Sequence, residues 1–274
     1  MRKFPYAWSV DQLKGENCMD LGIRDRVAIV CASSKGIGKA AAEALGQEGV
    51  KLALCARHAE ALEATATEIR SRSGVDVLAI PTDLRDGAAI DALVRQTLSH
   101  FGRLDILVNN TGGPPPGPFE QHDDAVWQAA FESLLLSVVR LTRLALPEMR
   151  RRNWGRIVTV TSTAVKQPIT NLVLSNSLRA AVTGLSKSLA NEVSGEGITV
   201  NTVAPGRILT DRLKSLHEGD EAATRIDGAR GVPAGRVGEP RDMGTTIAYL
   251  CSEQAGYITG STIQVDGGLV SGLL

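Results

Sequence analysis

From residue 21 onward, short apolar segments alternate with longer alanine-rich or amphipathic segments. The apolar segments, such as VKLALCA and RIVTVT, are almost continuously hydrophobic, as is typical of parallel strands covered by helices on both faces. The pattern predicts strands over 27–31, 51–56, 75–80, 104–109, 156–161, 198–203 and 262–265. It predicts helices near 38–48, 58–72, 86–101, 123–150, 173–195 and 240–253. This alternation indicates an α/β fold: one doubly wound (Rossmann) domain with a seven-stranded parallel sheet and helices on both faces.

The predicted domain covers residues 21–274, and residues 1–20 lie outside the pattern. That first segment lacks the apolar centre of a signal peptide and contains Asp11 and Glu16, which a transit peptide would avoid. We expect an N-terminal arm or an extension that precedes a natural start at Met19. The irregular stretch 206–239 is too short for a domain and is expected to be an excursion near the ligand.

Composition excludes several classes of function. Thirty basic residues balance thirty acidic ones, which argues against a nucleic-acid-binding surface. No apolar run approaches the roughly 18 residues that a membrane span needs. The four cysteines show no CxxC spacing and indicate a reducing, cytoplasmic setting, while the four scattered histidines predict no metal site.

The segment Val27–Gly38, VAIVCASSKGIG, is typical of a strand, a turn of small residues and the start of a helix. Glycines in such a turn allow close approach of a ligand, and the N-terminus of the helix offers free N–H groups to a phosphate. The turn therefore predicts a dinucleotide site, although such turns also occur without ligands. Its candidate binding residues are Ser33, Ser34, Lys35, Gly36, Ile37 and Gly38.

The charge at the end of the second strand predicts which dinucleotide is bound. An NAD site would place an Asp or Glu there to hold the ribose 2′-hydroxyl, but the chain has Arg57. Together with Lys35, this arginine favours a 2′-phosphate, and hence NADP(H) over NAD(H). The alternative is that both cations are ordinary solvated surface charges.

Further polar loops follow the other predicted strands, at the edge where such folds bind ligands. With the glycine turn, they resemble the motifs of the short-chain dehydrogenase/reductase family, in the branch of β-ketoacyl carrier-protein reductases. The family's Asn-Asn-Ala-Gly appears as Asn109–Gly112, and its Pro-Gly stretch with a downstream Thr as Pro205–Thr210. Its C-terminal motifs are intact at Tyr257–Gly260 and Val265–Gly268.

The resemblance implies a set of cofactor contacts and an oligomer. Asp83 and Leu84 would hold the adenine, and Asn110 with Gly112 would lie by the adjoining ribose. Pro205, Gly206, Ile208 and Thr210 would line the nicotinamide end. Relatives assemble through the helices that correspond to 123–150 and 173–195, so a homotetramer or homodimer is expected. The apolar end 269–274 would lie in an interface or fold back on its own subunit.

The catalytic residues depart from the family pattern. Ser162 stands at the position of the family's Ser, but Ser175 replaces its Tyr and Arg179 its Lys. Leu134 stands where the family has Asn. A phenol has a pKa of about 10, and serine is a far weaker acid with a shorter reach. Arg179 keeps a positive charge that could hold the nicotinamide ribose.

Lys166, four residues after Ser162, is therefore the candidate proton donor or anion-binding group, unless it is only a solvated loop lysine. The favoured hypothesis is an NADP(H)-dependent oxidoreductase that interconverts a carbonyl and an alcohol of a small-molecule substrate with a non-standard proton donor. The alternative is a catalytically weak or silent nucleotide-binding relative that acts as a sensor or assembly partner.

Overall fold

A computed structural model describes residues 20–215 and 219–273. Except for Asp20, the predicted arm 1–20 lies outside the described residues. The sheet is formed by β1 Val27–Cys31, β2 Lys51–Ala56, β3 Val77–Pro81, β4 Ile106–Asn109, β5 Gly155–Val160, β6 Ile198–Pro205 and β7 Thr262–Val265. These strands are all parallel and lie in the order β3-β2-β1-β4-β5-β6-β7. The predicted doubly wound sheet is confirmed.

The helices cover both faces of this sheet. They are α1 Gly36–Gln47, α2 Ala59–Ser73, α3 Gly87–Phe101, α4 Asp124–Phe131, α5 Ser137–Arg150, α6 Val173–Val193, α7 Asp211–Lys214, α8 Glu221–Ala229 and α9 Pro240–Leu250. Helices α1, α2 and α9 pack in one hydrophobic cluster, and α3, α5 and α6 pack in the other. The sheet therefore separates two hydrophobic layers.

Strand β1 shows why its sequence is apolar at every position. Ala28 and Val30 belong to the layer with α1 and α9, whereas Ile29 and Cys31 belong to the layer with α3 and α5. All of these side chains are fully buried because successive residues of a strand point to opposite faces. Strand β7 lies at the edge of the sheet and is only half-buried.

The predicted helix 123–150 is interrupted in the structure. A π-helical segment, Glu132–Leu136, separates α4 from α5. Within and beside it, the Ser133 hydroxyl donates to the Ala130 carbonyl and the Ser137 hydroxyl to the Ser133 carbonyl. Such side-chain bonds compete with the helical ladder, and π segments occur often at functional sites. This segment contains Leu134.

Other differences from the predicted bounds are small. Strand β6 continues to Pro205, whereas α9 ends at Leu250. Strand β4 begins at Ile106, and Asp105 directly before it is bonded to β1 twice: its N–H donates to the Val27 carbonyl at 2.9 Å, and its carboxylate accepts from the Val27 N–H at 2.9 Å. Within residues 20–215 and 219–273, no helix is long and apolar enough to cross a membrane.

Candidate active site

The glycine turn joins β1 to α1 through a backbone that is left-handed at two positions. Ala32 and Gly36 have φ angles of 49° and 57°. A Cβ on Gly38 would lie 2.8 Å from the Cys31 carbonyl oxygen and closer still to that of Ala32. Because these are backbone atoms, they cannot move aside cheaply. The turn is thereby held against the end of β1.

Serines connect this turn to the neighbouring elements. Buried Ser33 donates from its N–H to the Cys55 carbonyl of β2 at 3.1 Å. The Ser34 carbonyl accepts a hydrogen bond from the Thr65 hydroxyl of α2 at 3.1 Å. Ile37 is half-buried against the layer that contains α1. These contacts bring the turn to the carboxyl end of β2.

Lys35 and Arg57, the two predicted phosphate-binding cations, have different surroundings. Lys35 projects from the turn and forms a 2.9 Å ion pair with Asp211, and both side chains are largely exposed. Arg57 is exposed after β2, and its charge helps to lower the pKa of Asp83. A ligand phosphate would therefore compete with Asp211 for Lys35.

The predicted adenine residues follow β3. A hydrogen bond from Arg85 is the main cause that lowers the pKa of Asp83 to about 2. This carboxylate is therefore ionised and partly occupied by Arg85, with Nη2 at 2.6 Å. Leu84 is half-buried against the layer that contains α3.

The loop after β4 opens onto the same edge of the sheet. The Asn109 amide donates to the Thr159 hydroxyl at 3.2 Å, while its buried carbonyl oxygen has no partner among the residues described. Asn110 is half-buried, and Gly112 has open space where a side chain would be. The start of the loop is therefore fixed to β5 by Asn109, while space remains open beside Gly112.

The segment after β6 lies across the glycine turn. Pro205 pairs with Val265 of β7, and the Gly206 N–H donates to the Val265 carbonyl at 3.0 Å. Buried Ile208 pairs with Gly238 in an isolated bridge. The methyl group of Thr210 lies 3.4 Å from the position that a Cβ on Gly36 would occupy. The structure therefore brings the predicted nicotinamide-end residues to the predicted phosphate turn.

The candidate catalytic side chains lie at the end of β5 and the start of α6. The Ser162 hydroxyl is half-buried and accepts a hydrogen bond from the Ala164 N–H at 3.1 Å. Ser175 is 5% exposed in the first turn of α6. Lys166 is exposed and directly follows the 3₁₀ turn Thr163–Val165.

The glycine turn, the loop after β4 and the segment after β6 together form a cleft at the carboxyl edge of the sheet, and Arg179 lies in its wall. Arg179 is 9% exposed, and its Nη1 donates to the Val160 carbonyl at 2.8 Å. Burial, with a smaller contribution from the charge of Arg212, lowers its pKa to about 10. With Asn110 and Leu134 it lines a cavity of about 10 Å³, room for a single water molecule.

Arg212 is a residue of the cleft that the sequence pattern did not indicate. Its guanidinium covers the backbone of Gly113, and its Nη2 donates to the Pro114 carbonyl at 3.3 Å. Partial desolvation lowers its pKa. No motif marks this position, because only the fold brings α7 over the loop after β4.

Comparison with known proteins assigns the chain to a family. A family model described as enoyl-(acyl carrier protein) reductase matches residues 31–270. The 3-oxoacyl-(acyl-carrier-protein) reductase FabG of Vibrio cholerae is 35% identical over 249 residues, which is 91% of this chain and 99% of that protein. The Staphylococcus aureus FabG is 36% identical over 246 residues, 88% of this chain and 97% of that protein. The chain belongs to the short-chain dehydrogenase/reductase family.

Solved structures are similar in fold and sequence. L-sorbose reductase of Gluconobacter frateurii, complexed with NADPH and L-sorbose, has a TM-score of 0.88 at 35% identity and covers 93% of this chain and 100% of its own. A single-site variant of the actinorhodin polyketide ketoreductase with NADPH has a TM-score of 0.83 at 33% identity, covering 89% of this chain and 97% of its own. Both similarities extend across the whole sheet.

Proposed function

We propose that this protein is an NADP(H)-dependent oxidoreductase that interconverts a carbonyl and an alcohol, with a proton donor other than tyrosine. The observation that carries the proposal is the cleft itself. The glycine turn, the loop after β4 and the segment after β6 converge there, in a chain that is 35% identical to a FabG reductase.

The residues present fit a dinucleotide. Gly38 has no room for a side chain beside the end of β1, and Gly112 leaves open space at the rim. Ser33, Ser34, Gly36 and Ile37 would support the phosphates at the start of α1. The adenine would lie by Asp83 and Leu84, the ribose by Asn110, and the nicotinamide end by Pro205, Gly206, Ile208, Thr210 and Arg179.

The bound cofactor would supply a hydride to the carbonyl carbon, so the protein must orient that carbonyl and deliver one proton to its oxygen. Ser162 keeps its hydroxyl hydrogen available, since its oxygen is the acceptor for Ala164. Lys166, exposed four residues later, is our proposed proton source for the product oxygen. Arg179 would contribute charge and orientation, because arginine rarely gives up its proton.

A second candidate function is supported by the positions of the residues that differ from the family's catalytic pattern. Leu134 and Ser175 are buried, and Arg179 donates into the backbone of β5. A cleft with these features can hold a nucleotide without placing a strong acid beside a substrate. The alternative is thus a silent nucleotide-binding relative that acts as a sensor or assembly partner.

A panel of ketones, aldehydes and alcohols, followed through NADPH oxidation or NADP⁺ reduction, tests the proposal. We expect turnover of at least one compound at a rate that depends on enzyme concentration. Binding of NADPH with no turnover across the panel would favour the silent relative. Cofactor titration alone does not separate these functions, because both require binding.

Arg57→Glu tests the preference for NADP(H). The substitution places a carboxylate where a 2′-phosphate would otherwise meet a cation, so repulsion replaces attraction. We expect the Kd for NADPH to rise at least about tenfold while that for NADH stays level or falls. Fluorescence titration of both cofactors measures this, with Arg95→Glu at an exposed position of α3 as the control. Equal changes for the two cofactors would contradict the preference.

Lys166→Ala tests the proton donor. Since general acid–base help is worth about 10²–10⁴-fold, we expect a loss of at least about tenfold in kcat for a compound found in the panel. The control is Lys51→Ala, because Lys51 lies at the amino end of β2, away from the carboxyl ends of the strands where the site lies. An unchanged kcat would remove Lys166 as the donor.

The domain bounds, the oligomeric state and the cellular location remain proposals. Residues 21–274 would act as one domain, with 206–239 covering the substrate. A homotetramer or homodimer and a cytoplasmic location stay predictions. Of the apolar end, Leu273 is fully exposed in the monomer and Leu274 lies outside the described residues.

A further inference from the structure

Arg212 is an exposed residue whose guanidinium is partly desolvated at the rim of the loop after β4. It lies against Gly113, where any side chain would overlap with its guanidinium, and it donates to the Pro114 carbonyl at 3.3 Å. That single hydrogen bond uses one of the five N–H donors of an arginine. The remaining donors are available to a ligand at the rim of the loop after β4.

Arg179 also lies beside this loop. It lines a cavity with Asn110 and Thr111, and its Nη1 is fixed on the Val160 carbonyl at 2.8 Å. Burial is the main cause that lowers the pKa of Arg179, and the charge of Arg212 lowers it further because the two guanidinium groups repel each other. Two cations therefore flank the span from Asn110 to Pro114.

The structure offers these cations no carboxylate among the residues it describes. Asp211, next to Arg212 in the chain, pairs instead with Lys35 at 2.9 Å. The other cations of the 206–239 segment are compensated. Arg207 donates to three backbone carbonyls, Lys214 pairs with Glu221, and Arg225 pairs with Glu221 and Glu239.

We propose that the carbonyl substrate is anionic and that its carboxylate or phosphate binds Arg212 at the Gly113–Pro114 rim, with the charge of Arg179 adding to the attraction. This inference rests on the proposed function and names its substrate class. Arginine binds both groups through paired N–H donors, and a partly desolvated cation attracts an anion more strongly than a cation in water.

The cofactor phosphates are a less suitable partner for Arg212. In the segment after β6, the residues that contact the glycine turn are Thr210, which packs by Gly36, and Asp211, which pairs with Lys35. Arg212 follows these residues and faces the loop after β4 instead. Its variant should therefore leave the Kd for NADPH within about twofold of the native value, whereas loss of a phosphate contact would raise it about tenfold or more.

Two matched pairs of probes test the inference: 4-oxopentanoate against its methyl ester, and dihydroxyacetone phosphate against dihydroxyacetone. Each is measured for NADPH-dependent reduction and, independently, for binding to the NADP⁺-loaded protein by calorimetry. We expect one anion to bind at least tenfold more tightly than its neutral partner. Arg212→Met should abolish that preference, Arg212→Lys should restore part of it, and Arg95→Met on α3 should leave it unchanged.

The outcomes separate this inference from the proposed function. Arg212-dependent binding of an anion without turnover of any probe retains the inference and counts against the enzyme. Reduction of neutral ketones without an Arg212-dependent preference retains the enzyme and overturns the inference. The inference is also overturned if neither anion shows Arg212-dependent binding, or if Arg212→Met weakens NADPH binding about tenfold.

Discussion

Gly38→Ala is expected to weaken cofactor binding strongly and to destabilise the fold. The added Cβ would lie 2.8 Å from the Cys31 carbonyl oxygen and closer still to that of Ala32, so α1 must move away from β1. Helix α1 also packs closely on α9, where a Cβ on Gly244 would meet the backbone of Ala40. The strain has no flexible side chain to absorb it.

We expect Gly38→Ala to lower the free energy of unfolding by about 3 kcal/mol or more, since backbone strain is among the few causes of such losses. The Kd for NADPH should rise at least about 100-fold, because the N-terminus of α1 no longer faces the phosphates. Denaturant titration and fluorescence titration measure the two quantities.

The matched control is Gly184→Ala in α6. Gly184 is exposed, within a helix, and has no heavy atom within 4 Å of an added Cβ. Alanine should raise the free energy of unfolding by about 0.5–1 kcal/mol there, since it restricts the unfolded chain. If both variants had the same stability and the same Kd for NADPH, the close contact at Gly38 would have no role.

The fold could be predicted from the sequence because its strands are buried on both sides. Alternate residues of β1 are buried in two separate layers, so the strand is apolar at every position. Such a continuous apolar run predicts a strand covered on both faces. The interruption at Glu132–Leu136 was missed, because side-chain bonds from Ser133 and Ser137 leave no periodic signal. The bounds of β4 and β6 differ from the predicted ones, because an apolar pattern does not mark where the last hydrogen bond of a strand is formed.

Only part of the candidate site could be predicted from the sequence. Glycine turns and polar loops were visible because backbone conformation demands particular residues at fixed spacing. The pairing of Lys35 with Asp211 and the position of Arg212 over Gly113 were not visible. These contacts join segments that are distant in the chain, and only the topology of the sheet brings them together.

Restoring the family's side chains at three positions is expected to create strong activity on neutral ketones. The variant combines Leu134→Asn, Ser175→Tyr and Arg179→Lys. A phenol beside a lysine is a far better acid than a serine hydroxyl, because the ammonium stabilises the phenolate. We expect the NADPH-dependent reduction of a neutral ketone to rise at least about 100-fold, within the range of general acid–base catalysis.

The matched control combines Ser175→Phe with the same Leu134→Asn and Arg179→Lys substitutions. The phenylalanine fills the same space as the tyrosine but has no hydroxyl. Only the tyrosine variant should gain activity, and its pH profile should show a new limb from the phenol. Both variants lose the 2.8 Å bond from Arg179 to the Val160 carbonyl, so a change in stability common to both is separable from catalysis.

The outcome also decides between the two candidate functions. If the native protein reduces no carbonyl and the tyrosine variant does, the cleft holds substrate and cofactor correctly and lacks only the acid, which is the silent relative. If the native protein reduces an anionic carbonyl compound and the tyrosine variant also gains activity on neutral ketones, the native protein is an enzyme. Ser162, Lys166 and the arginines then replace the family's catalytic residues. Equal activity in the tyrosine and phenylalanine variants would contradict the prediction, because the hydroxyl would then deliver no proton.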